Sequence, residues 1–388
     1  MARLHVSRSA ALLLGALAVT IVLVLLLLLL RGKPLDNEAV SFEPISFAEI
    51  DGWQTDDQAP AFQALLRSCP SASAAAAICG EAQALASRGE VGRDAARAFF
   101  EAHYTPHRIL GAKQPGLITG YYEPEVEGAR ERGPGFQVPV YGRPADLVAL
   151  TPDEMRARFN DHLTAMRETG DGLVPYFTRE EIDRGALAGR GLEILYLADP
   201  VELFFMQVQG SGRVRLPDGT TLRLGYAGKN GYPYTSIGKL LLERGEGKAN
   251  GMSMHVLKDW LCADAPRGQR LMWENRSYVF FRELDGREAQ DGPIGAAGVA
   301  LTPGRSLAVD ASYHALGLPI FVEAETLVGS DGAPFRKLMI AQDVGSAIRG
   351  PERGDIFWGS GEAAGAIAGS TLAPARFIVL LPNQAPGA

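Results

Sequence analysis

The stretches LMIAQDVGSAIRG (338–350) and GDIFWG (354–359) decide both the fold and the chemistry that we expect of this chain. In the first stretch, an apolar run that predicts a strand ends on Asp343 and a glycine; in the second, Asp355 follows a glycine. A third aspartate, Asp310, ends the short apolar run LAVD. The sequence therefore predicts three strand ends that each present an aspartate.

Three aspartates among glycines and aromatic residues indicate a carbohydrate site. In such a site one carboxyl with a raised pKa donates a proton to a glycosidic oxygen, neighbouring polar groups hold it, and aromatic faces stack on sugar rings. Phe357 and Trp358 are neighbours in a predicted strand and so lie on its opposite faces, which means that at most one of them points toward the sugar. Asp–x–Gly and Gly–Asp are also ordinary turn pairs, and a turn alone explains each aspartate taken singly.

The rest of the chain predicts a mainly β fold with flanking α-helices. Helices are predicted at 57–104, 151–168, 236–245 and 253–260. Short apolar runs broken by Gly and Pro predict strands at 117–122, 136–141, 192–197, 203–208, 278–281, 319–324, 338–341 and 377–381, and a hairpin at 213–224. Strands and helices do not alternate regularly, which favours barrels over a doubly wound sheet.

The composition of the 388 residues is that of a globular protein and excludes several classes of function. Charged residues make up 21% and hydrophobic residues 46%, and the formal net charge is -7. No basic block is long enough to follow a phosphate backbone, so we predict no nucleic-acid partner. The histidines are scattered, and the glycine-rich stretch at 359–365 is one residue too long for a dinucleotide fingerprint. We therefore predict neither a metal site nor a cofactor.

Residues 10–30 contain no charged side chain and are long enough, at about 30 Å as a helix, to cross a bilayer core. The segment RGKP (31–34) follows directly, so we predict an uncleaved transmembrane anchor, with a tail at 1–9 before it and a linker at 31–50 after it. A cleaved signal peptide with an unusual site is the alternative. The flanking basic residues are balanced and do not decide the orientation.

Three cysteines are spread over the chain. Cys69 and Cys79 bracket a short alanine-rich stretch, and a disulfide between them is possible outside the cytoplasm; two free buried thiols are the alternative. Cys262 stands alone among apolar neighbours. The absence of a C-x-x-C pair excludes a zinc ribbon.

Four ordered motifs resemble the membrane-bound lytic murein transglycosylase A family. They are LITGYYEP (117–124), FMQVQGSG (205–212), YAGKNG (226–231) and AQDVG followed by GDI (341–345 and 354–356). The resemblance runs from about residue 117 to residue 382. It implies a helical segment and a catalytic double-psi β-barrel formed by 51–124 and 283–388. An inserted β-barrel-like domain at 125–282 would interrupt this barrel, with the glycan in a groove between the two domains.

The resemblance also implies a periplasmic enzyme that cuts the β-1,4 bond between N-acetylmuramic acid and N-acetylglucosamine in peptidoglycan. The muramic acid 6-hydroxyl attacks its own anomeric carbon and leaves a 1,6-anhydro ring. The family's catalytic aspartate matches Asp355, which would serve as general acid and then as general base; because the nucleophile is intramolecular, no second carboxylate is needed to activate water. Asp343 and Asp310 match two further acids with a supporting role, and a purely structural role is the alternative for Asp310.

Further residues of these motifs are candidates for binding the glycan. Tyr121 and Tyr122 lie beside the predicted domain junction, where they stack on sugar rings or one of them faces the core. Hydrogen bonds to N-acetyl and hydroxyl groups are expected from Thr119, Gln207, Gln209, Ser211 and Lys229. A position at a strand end without substrate contact is the alternative for each of them.

Two features depart from the family pattern. Ser346 stands where the family usually has a second glycine, which changes the loop between two of the acids. No cysteine follows the apolar stretch at 10–30. We therefore expect an anchor in the inner membrane, with the catalytic part in the periplasm, rather than a lipid anchor in the outer membrane.

Two other functions remain open from the sequence. A glycoside hydrolase on the same barrel would use water as acceptor; hydrolysis by inversion would need a second carboxylate roughly 6.5–9.5 Å from Asp355, and Asp343 is the candidate. A non-catalytic peptidoglycan-binding scaffold would hold other cell-wall enzymes. The expected partners are peptidoglycan glycan strands, the membrane and, for the scaffold alternative, those other enzymes.

Overall fold

The computed structural model describes residues 39–69, 76–151, 163–246, 253–285, 291–329 and 332–383. The predicted tail, the predicted anchor at 10–30 and the linker up to residue 38 lie outside these ranges. Across the described residues, no helix combines the length and the apolar character needed to cross a bilayer.

The helices lie before, between and after groups of strands. Those of seven residues or more in the described ranges are α1 (Ala59–Ser68), α2 (Ala76–Ala86), α3 (Arg93–His103), α4 (Pro200–Gln209), α5 (Ile237–Glu243), α6 (Met254–Ala263), α7 (Ala265–Glu274) and α8 (Gly361–Ser370). Shorter helical turns occupy Phe47–Glu49, Arg179–Glu181 and Ile182–Ala186. The predicted helix starts at Ser236 and Ser253 are confirmed, since each hydroxyl accepts a backbone N–H of the first turn.

Strands contain somewhat more of the described residues than helices do. They are β1 (Ser41–Pro44), β2 (Tyr104–Leu110), β3 (Leu117–Glu123), β4 (Glu125–Ala129), β5 (Val138–Tyr141), β6 (Leu147–Ala149), β7 (Ala165–Thr169), β8 (Gly172–Pro175), β9 (Glu193–Leu197), β10 (Gly212–Arg215), β11 (Thr221–Lys229), β12 (Val279–Leu284), β13 (Ser306–Val309), β14 (Pro319–Val328), β15 (Pro334–Val344), β16 (Arg353–Ser360), β17 (Leu372–Pro374) and β18 (Arg376–Pro382). The predicted mainly β fold with flanking helices is confirmed.

The strands pair into three sheets. The nine-stranded sheet has the order β1-β2-β18-β14-β15-β13-β16-β3-β17, the six-stranded sheet β12-β11-β10-β4-β9-β5, and the three-stranded sheet β6-β7-β8. The two smaller sheets use strands between Glu125 and Leu284 only. In the large sheet β17 also lies against β14, and both contribute to one core with Ile118, Leu307 and Ile356. The double-psi barrel and the exact domain boundaries remain predictions.

The N-terminal helices pack on one face of the large sheet. Trp53, Phe62 and Phe100 are buried there against Phe321 and Leu338 of β14 and β15. Burying a side chain of this size contributes about 1.5–3 kcal/mol. The apolar residues whose spacing predicted helices in 57–104 therefore form the face of those helices that covers the sheet.

Gln342 connects this helical layer to the strand that carries Asp343. Its Nε2 donates 2.8 Å hydrogen bonds to the carbonyl oxygen of Ala64 and to Ser68 Oγ, both in α1, and its Oε1 accepts from Ser306 Oγ in β13. A buried amide with all these partners holds β15, β13 and α1 in one arrangement.

The strand predicted at 203–208 is wrong, because this segment lies inside α4. Asp199 caps the helix by accepting the N–H of Val201, Pro200 occupies the first helical position, and Gly210 ends it with a φ of 81°. These start and stop signals outweigh the short apolar run, whose residues are buried on several sides of the helix.

The helix predicted at 151–168 is wrong at its C-terminal end. Residues 152–162 lie outside the described ranges, but Ala165–Thr169 forms β7, which pairs with β6 on one side and with β8 on the other. The turn to β8 contains Gly172 with a φ of 118°, a conformation that favours glycine. Strand pairing on both sides supplies the hydrogen bonds that a helix would otherwise provide.

Cys69 and Cys79 form a disulfide, with Cα atoms 5.4 Å apart. It connects the residue after α1 to α2, and so ties two helices of the layer that covers the large sheet. Cys262 is the free, exposed thiol of the described residues. The pairing that the sequence left open is thus decided by the proximity of the two helices.

Replacing both Cys69 and Cys79 by serine is expected to lower the free energy of unfolding by roughly 2–3 kcal/mol, the chain-entropy value for a loop of this length. Equilibrium denaturation of the oxidised protein and of the double variant measures the difference. Cys262→Ser is the control and should unfold like the parent protein. Equal stability of parent and double variant would contradict the prediction.

Candidate active site

Three neighbouring strands bring Asp343 and Asp355 to one face of the large sheet. Ala308 of β13 pairs with Asp343 of β15 on one side and with Asp355 of β16 on the other. Residues directly opposite each other in paired strands project to the same face. Two strand spacings separate the acids, which places their Cα atoms about 10 Å apart.

A β-bulge puts Asp343 on this face. β13 and β15 pair as Leu307 with Ala341 and then Ala308 with Asp343, so Gln342 is one extra residue in β15. Ala341 belongs to the core on the opposite face, and strict alternation would turn Asp343 toward that core as well. With the bulge, both Gln342 and Asp343 reach the outer face, where they contact Ser306 and Tyr121 respectively.

An apolar cluster forms the floor of the candidate site. Tyr121, Ala308 and Phe357 pack there with Leu301 and Ile348, and the rings of Tyr121 and Phe357 are 5.3 Å apart. Phe357 lies two residues after Asp355 and therefore shares its face, but its side chain is buried. Of the two aromatic residues after Asp355, Phe357 therefore lies on the face of the acids, where its buried ring forms part of the apolar floor beneath them.

Trp358 points to the other face of β16. Its ring packs against Phe335, with centroids 5.8 Å apart, and lies over Gly120. A Cβ at Gly120 would approach the Trp358 ring to 2.7 Å, so only glycine fits there without movement. This agrees with the expectation that at most one of the two aromatic residues faces the site.

Asp355 is held by a short chain of polar contacts. Thr119 Oγ1 donates a 2.8 Å hydrogen bond to Asp355 Oδ1, and Arg353 Nη2 donates one of 2.8 Å to Thr119 Oγ1. Burial is the main influence and raises the pKa of Asp355 to about 6; the charge of Arg353 and the Thr119 bond oppose the rise, and the charge of Asp343 adds to it. A carboxyl with this pKa is half protonated near pH 6 and still protonated in roughly a tenth of molecules at pH 7, far more than an ordinary aspartate.

Asp343 is an acceptor with three donors around it. Tyr121 Oη donates to its Oδ2 at 2.9 Å, and the backbone N–H groups of Ala296 and Val344 donate to its Oδ1 at 2.9 Å each. Burial raises the pKa of Asp343, while these hydrogen bonds lower it. The carboxylate is thereby oriented, and its negative charge is one of the influences on Asp355.

Asp310 orders the loop between the two acids. Its Oδ1 accepts from the N–H and Oγ of Ser312, and its Oδ2 accepts from the N–H of Gly350 at 2.9 Å. The side chain is buried directly after β13, and Arg349 Nη1 lies 3.9 Å from it. These are the contacts expected if Asp310 has a purely structural role.

The two tyrosines face different partners. Tyr121 presents its ring to the apolar floor and its hydroxyl to Asp343. Tyr122 packs against α8 beside Ala364 and Ala368, and a Cβ at Gly365 would come within 2.7 Å of its ring. Both side chains are buried, so in this structure neither ring offers an open face for sugar stacking.

Gln207 and Gln209 hold the protein's own groups. Gln207 is buried in α4, where its Oε1 accepts from Arg179 Nη1 at 2.5 Å and its Nε2 donates to the carbonyl oxygen of Val279 at 3.0 Å. Gln209 Oε1 accepts the N–H of Tyr122 at 3.0 Å. Both amides connect α4 to neighbouring strands or turns, and Ser211, just beyond α4, is also buried.

Glu123 joins the large sheet to the six-stranded sheet near the site. It is the last residue of β3 and fully buried; its Oε1 lies 2.9 Å from Arg223 Nε of β11, and its Oε2 accepts from Ser360 Oγ at the end of β16 at 2.5 Å. A buried ion pair with a further hydrogen bond gives the junction a defined geometry. Within the described ranges, no group of His, Cys, Asp and Glu side chains that could hold a metal ion is present.

Comparison with known proteins places this geometry in a family. Family models match at 117–282, for the MltA specific insert domain, and at 305–381, for the 3D domain. The membrane-bound lytic murein transglycosylase from Agrobacterium tumefaciens has a solved structure with a TM-score of 0.78 and 40% identity, covering 88% of this chain and 98% of that one. The chain belongs to the membrane-bound lytic murein transglycosylase A family.

Two further members extend the comparison. Membrane-bound lytic murein transglycosylase A of Vibrio cholerae is 36% identical over 258 residues, which span 65% of this chain and 62% of that relative. The Escherichia coli MltA structure with bound chitohexaose has a TM-score of 0.63 and 26% identity, covering 90% of this chain and 94% of that one.

In this member of the transglycosylase A family, one site residue, Arg353, was not anticipated from the sequence, nor was the electrostatic influence of Asp355 on Tyr234. Arg353 lies two positions before Asp355 and so shares its strand face, a period-two signal that was available in the sequence. Tyr234 belongs to the segment after β11; burial is the main cause of its raised pKa, and the charge of Asp355 contributes to it. No local pattern links Tyr234 to Asp355, because only the fold brings these segments together.

Proposed function

We propose that this family member is a lytic transglycosylase that cleaves the β-1,4 bond between N-acetylmuramic acid and N-acetylglucosamine and leaves 1,6-anhydromuramic acid ends. The observation that carries the proposal is Asp355: a partly buried carboxyl whose burial raises its pKa to about 6, held through Thr119 and set beside the oriented Asp343. The names of the relatives and the chitohexaose bound to the E. coli protein support a peptidoglycan substrate.

The proposed mechanism uses one carboxyl twice. Protonated Asp355 donates its proton to the glycosidic oxygen as the bond from the muramoyl C1 to that oxygen breaks, and the N-acetylglucosamine unit leaves as an alcohol. The Asp355 carboxylate then accepts the proton of the muramoyl 6-hydroxyl as O6 bonds to C1. The proton that Asp355 gave to the leaving oxygen is thus replaced by the proton of the 6-hydroxyl. The acid is regenerated, and neither water nor a second carboxyl is needed.

Asp343 supports this role by its position and its charge. Three hydrogen-bond donors occupy its two oxygens, which favours an orienting and electrostatic function over the activation of a water molecule. The charge of Asp343 favours the protonated form of Asp355 before the leaving oxygen takes the proton. Because the oxygens of Asp343 already accept these hydrogen bonds, a hydrolase that uses Asp343 as the base for water is only the second candidate.

The proposed setting is a membrane-anchored protein with its catalytic part in the periplasm. An anchor at 10–30 and the absence of a following cysteine support the inner membrane, and the Cys69–Cys79 disulfide supports an oxidising compartment. We further propose a double-psi barrel and an insert at 125–282 that enclose the glycan groove. Glu123 and Arg223 would hold these two domains together.

Mass spectrometry of purified peptidoglycan treated with the protein tests the proposed function. Muropeptides that carry 1,6-anhydro ends, one water lighter than hydrolytic products, are expected. Reducing ends of full mass would contradict the transglycosylase and support the hydrolase. Bound glycan without any product would support a scaffold instead.

The pH dependence of cleavage is expected to follow the protonation of Asp355. Because the protonated carboxyl is the acid, kcat/KM falls as the pH rises through about 6. Arg353→Met removes a positive charge that favours the ionised form, so this limb should move to higher pH. Rates measured from pH 4.5 to 8 on soluble glycan give the fall of kcat/KM in the parent protein and in Arg353→Met. The same midpoint in both proteins would argue against Asp355 as the titrating group.

A further inference from the structure

A buried polar network lies beside Asp343, where α1 covers the large sheet. Gln342 is its centre: the side chain is fully buried, and its Nε2 donates at 2.8 Å to the carbonyl oxygen of Ala64 and to Ser68 Oγ. Ser68 is buried as well. Since Ser306 Oγ donates to the Gln342 Oε1, the amide oxygen and both amide hydrogens are engaged.

The loop 293–302 is attached to this network at its end. The N–H of Thr302 donates to Ser306 Oγ at 2.7 Å, and Arg67 Nη1 of α1 donates to Thr302 Oγ1 at 3.2 Å. Ser306 Oγ therefore connects Thr302 to Gln342. The loop and the amide are thus fixed against the same helix.

The middle of this loop lies against Gln342 and Asp343. The N–H of Ala297 donates to the backbone oxygen of Gln342 at 3.0 Å, and the N–H of Ala296 donates to Asp343 Oδ1 at 2.9 Å. A Cβ at Gly295 would come within 2.5 Å of the same Gln342 oxygen, so only glycine allows this approach without movement. Gln342 therefore holds the loop that orients the carboxylate of the next residue.

Gln342 is also the extra residue of the bulge in β15. The ladder with β13 pairs Ala341 and Asp343 and skips Gln342. Pairing with β13 thus does not fix this residue, whereas the contacts of its side chain do. Because a shift of one residue turns a side chain to the other face, loss of these contacts would allow Asp343 to leave the face of Asp355.

We propose that Gln342 is the positioning residue of Asp343: its buried amide holds the bulge and the loop 293–302 against α1, and so keeps Asp343 on the face of Asp355. The N-terminal helical layer thereby acts on catalysis through one side chain. This inference rests on the proposed function, in which the charge of Asp343 favours the protonated form of Asp355.

Gln342→Met tests the proposal, because methionine has a similar length and volume but lacks the amide donors and the amide acceptor. In full-length protein, kcat/KM for the release of 1,6-anhydro muropeptides is expected to fall about tenfold at pH 7. The affinity for chitohexaose is expected to stay unchanged, since a positioning residue acts on the reacting groups rather than on glycan binding.

The protonation of Asp355 gives a second measurement that does not depend on turnover. Burial and the charge of Asp343 raise the pKa of Asp355, whereas the charge of Arg353 on the same strand and the hydrogen bond from Thr119 lower it. Displacing Asp343 should therefore lower this pKa. In a carbon-13 NMR titration of the aspartate carboxyl carbons, assigned with Asp355→Asn, we expect the Asp355 midpoint at lower pH in Gln342→Met.

Gln58→Met is the matched control. Gln58 is also a fully buried glutamine, directly before α1, and its Nε2 donates at 2.7 Å to the carbonyl oxygen of Trp53 within the helical layer. The same substitution there removes a buried amide without touching the bulge in β15. It should lower the stability of the fold and leave kcat/KM and the Asp355 midpoint unchanged.

Ser68→Ala is a milder variant that applies if Gln342→Met does not fold. Alanine is a good helix former, and loss of the Ser68 hydroxyl leaves one N–H of Gln342 without its partner. We expect a smaller change in the same direction, with kcat/KM about threefold lower and the Asp355 midpoint again at lower pH.

Three results would overturn the proposal. They are an Asp355 midpoint that does not move in the folded variants, an equal shift in Gln58→Met, and a loss of chitohexaose affinity as large as the loss of kcat/KM. The products of the parent protein report on the proposed function separately. Reducing ends of full mass, together with a lowered midpoint in Gln342→Met, would keep the positioning role and discard the transglycosylase reaction.

Discussion

Asp355→Asn is expected to lower the rate of glycan cleavage by about a thousandfold while glycan binding persists, because general acid–base catalysis contributes of this order. The amide keeps the shape of the side chain and can still accept from Thr119, but it cannot deliver a proton to the glycosidic oxygen. Release of 1,6-anhydro muropeptides measures the rate, and co-sedimentation with peptidoglycan measures the binding.

The stability of Asp355→Asn serves as an internal check. The folded-state pKa of Asp355 is raised, so its contribution to stability is present below the unfolded pKa and is lost as the pH rises through about 6. The variant should therefore be at least as stable as the parent at pH 7. Near-normal cleavage by a stably folded Asp355→Asn would rule out this residue as the acid.

Asp343→Asn is the comparison that separates the two acids. It retains an oxygen for the donors around it but removes the charge that raises the pKa of Asp355. We expect a smaller loss of activity than in Asp355→Asn, since no proton transfer passes through Asp343. The reverse order of effects would exchange the two roles.

Asp56→Ala is expected to lower the free energy of unfolding by about 3–5 kcal/mol, the usual cost of breaking a buried ion pair. Arg305 donates to both Asp56 oxygens at 2.8 and 2.9 Å, and the N–H of Leu338 donates to Asp56 Oδ2 at 2.8 Å. The Asp56 side chain is fully buried and that of Arg305 is 7% exposed. Truncation leaves a buried guanidinium without its counter-charge.

Equilibrium unfolding in urea measures this effect, and Asp94→Ala is the matched control. Asp94 also pairs with an arginine, Arg97 at 2.6 Å, but its side chain is 85% exposed, so a change within about 0.5 kcal/mol is expected. The double variant Asp56→Ala with Arg305→Leu should recover part of the loss. A loss no larger in Asp56→Ala than in the control would contradict the prediction.

Local signals in the sequence were sufficient for several elements. The hairpin of β10 and β11 follows from Asp218 and Gly219: the Asp218 side chain accepts the N–H of Thr220, and Gly219 has a φ of 85°. Ser236 and Ser253 begin α5 and α6, as their hydroxyls predict. In each case the deciding contacts lie within three residues along the chain.

Where the choice between helix and strand depends on residues distant in the sequence, local signals did not predict it. The apolar run inside α4 is compatible with a strand, and the segment Ala165–Thr169 becomes a strand because β6 and β8 lie on its two sides. Gln207 and Tyr122 have the polar or aromatic character of sugar-binding residues. The fold engages Gln207 with Arg179 and buries Tyr122 against α8.

The sequence by itself determined the family, the mainly β class and the three aspartates, because these rest on residue types and on spacing along the chain. Only the tertiary structure decided what each aspartate does. The extra residue Gln342 turns Asp343 to the face of Asp355, a turn of the chain engages Asp310, and burial beside Arg353 and Thr119 sets the pKa of Asp355. Proton affinity depends on desolvation and on charges brought close in space, and neither quantity is encoded in a motif read along the chain.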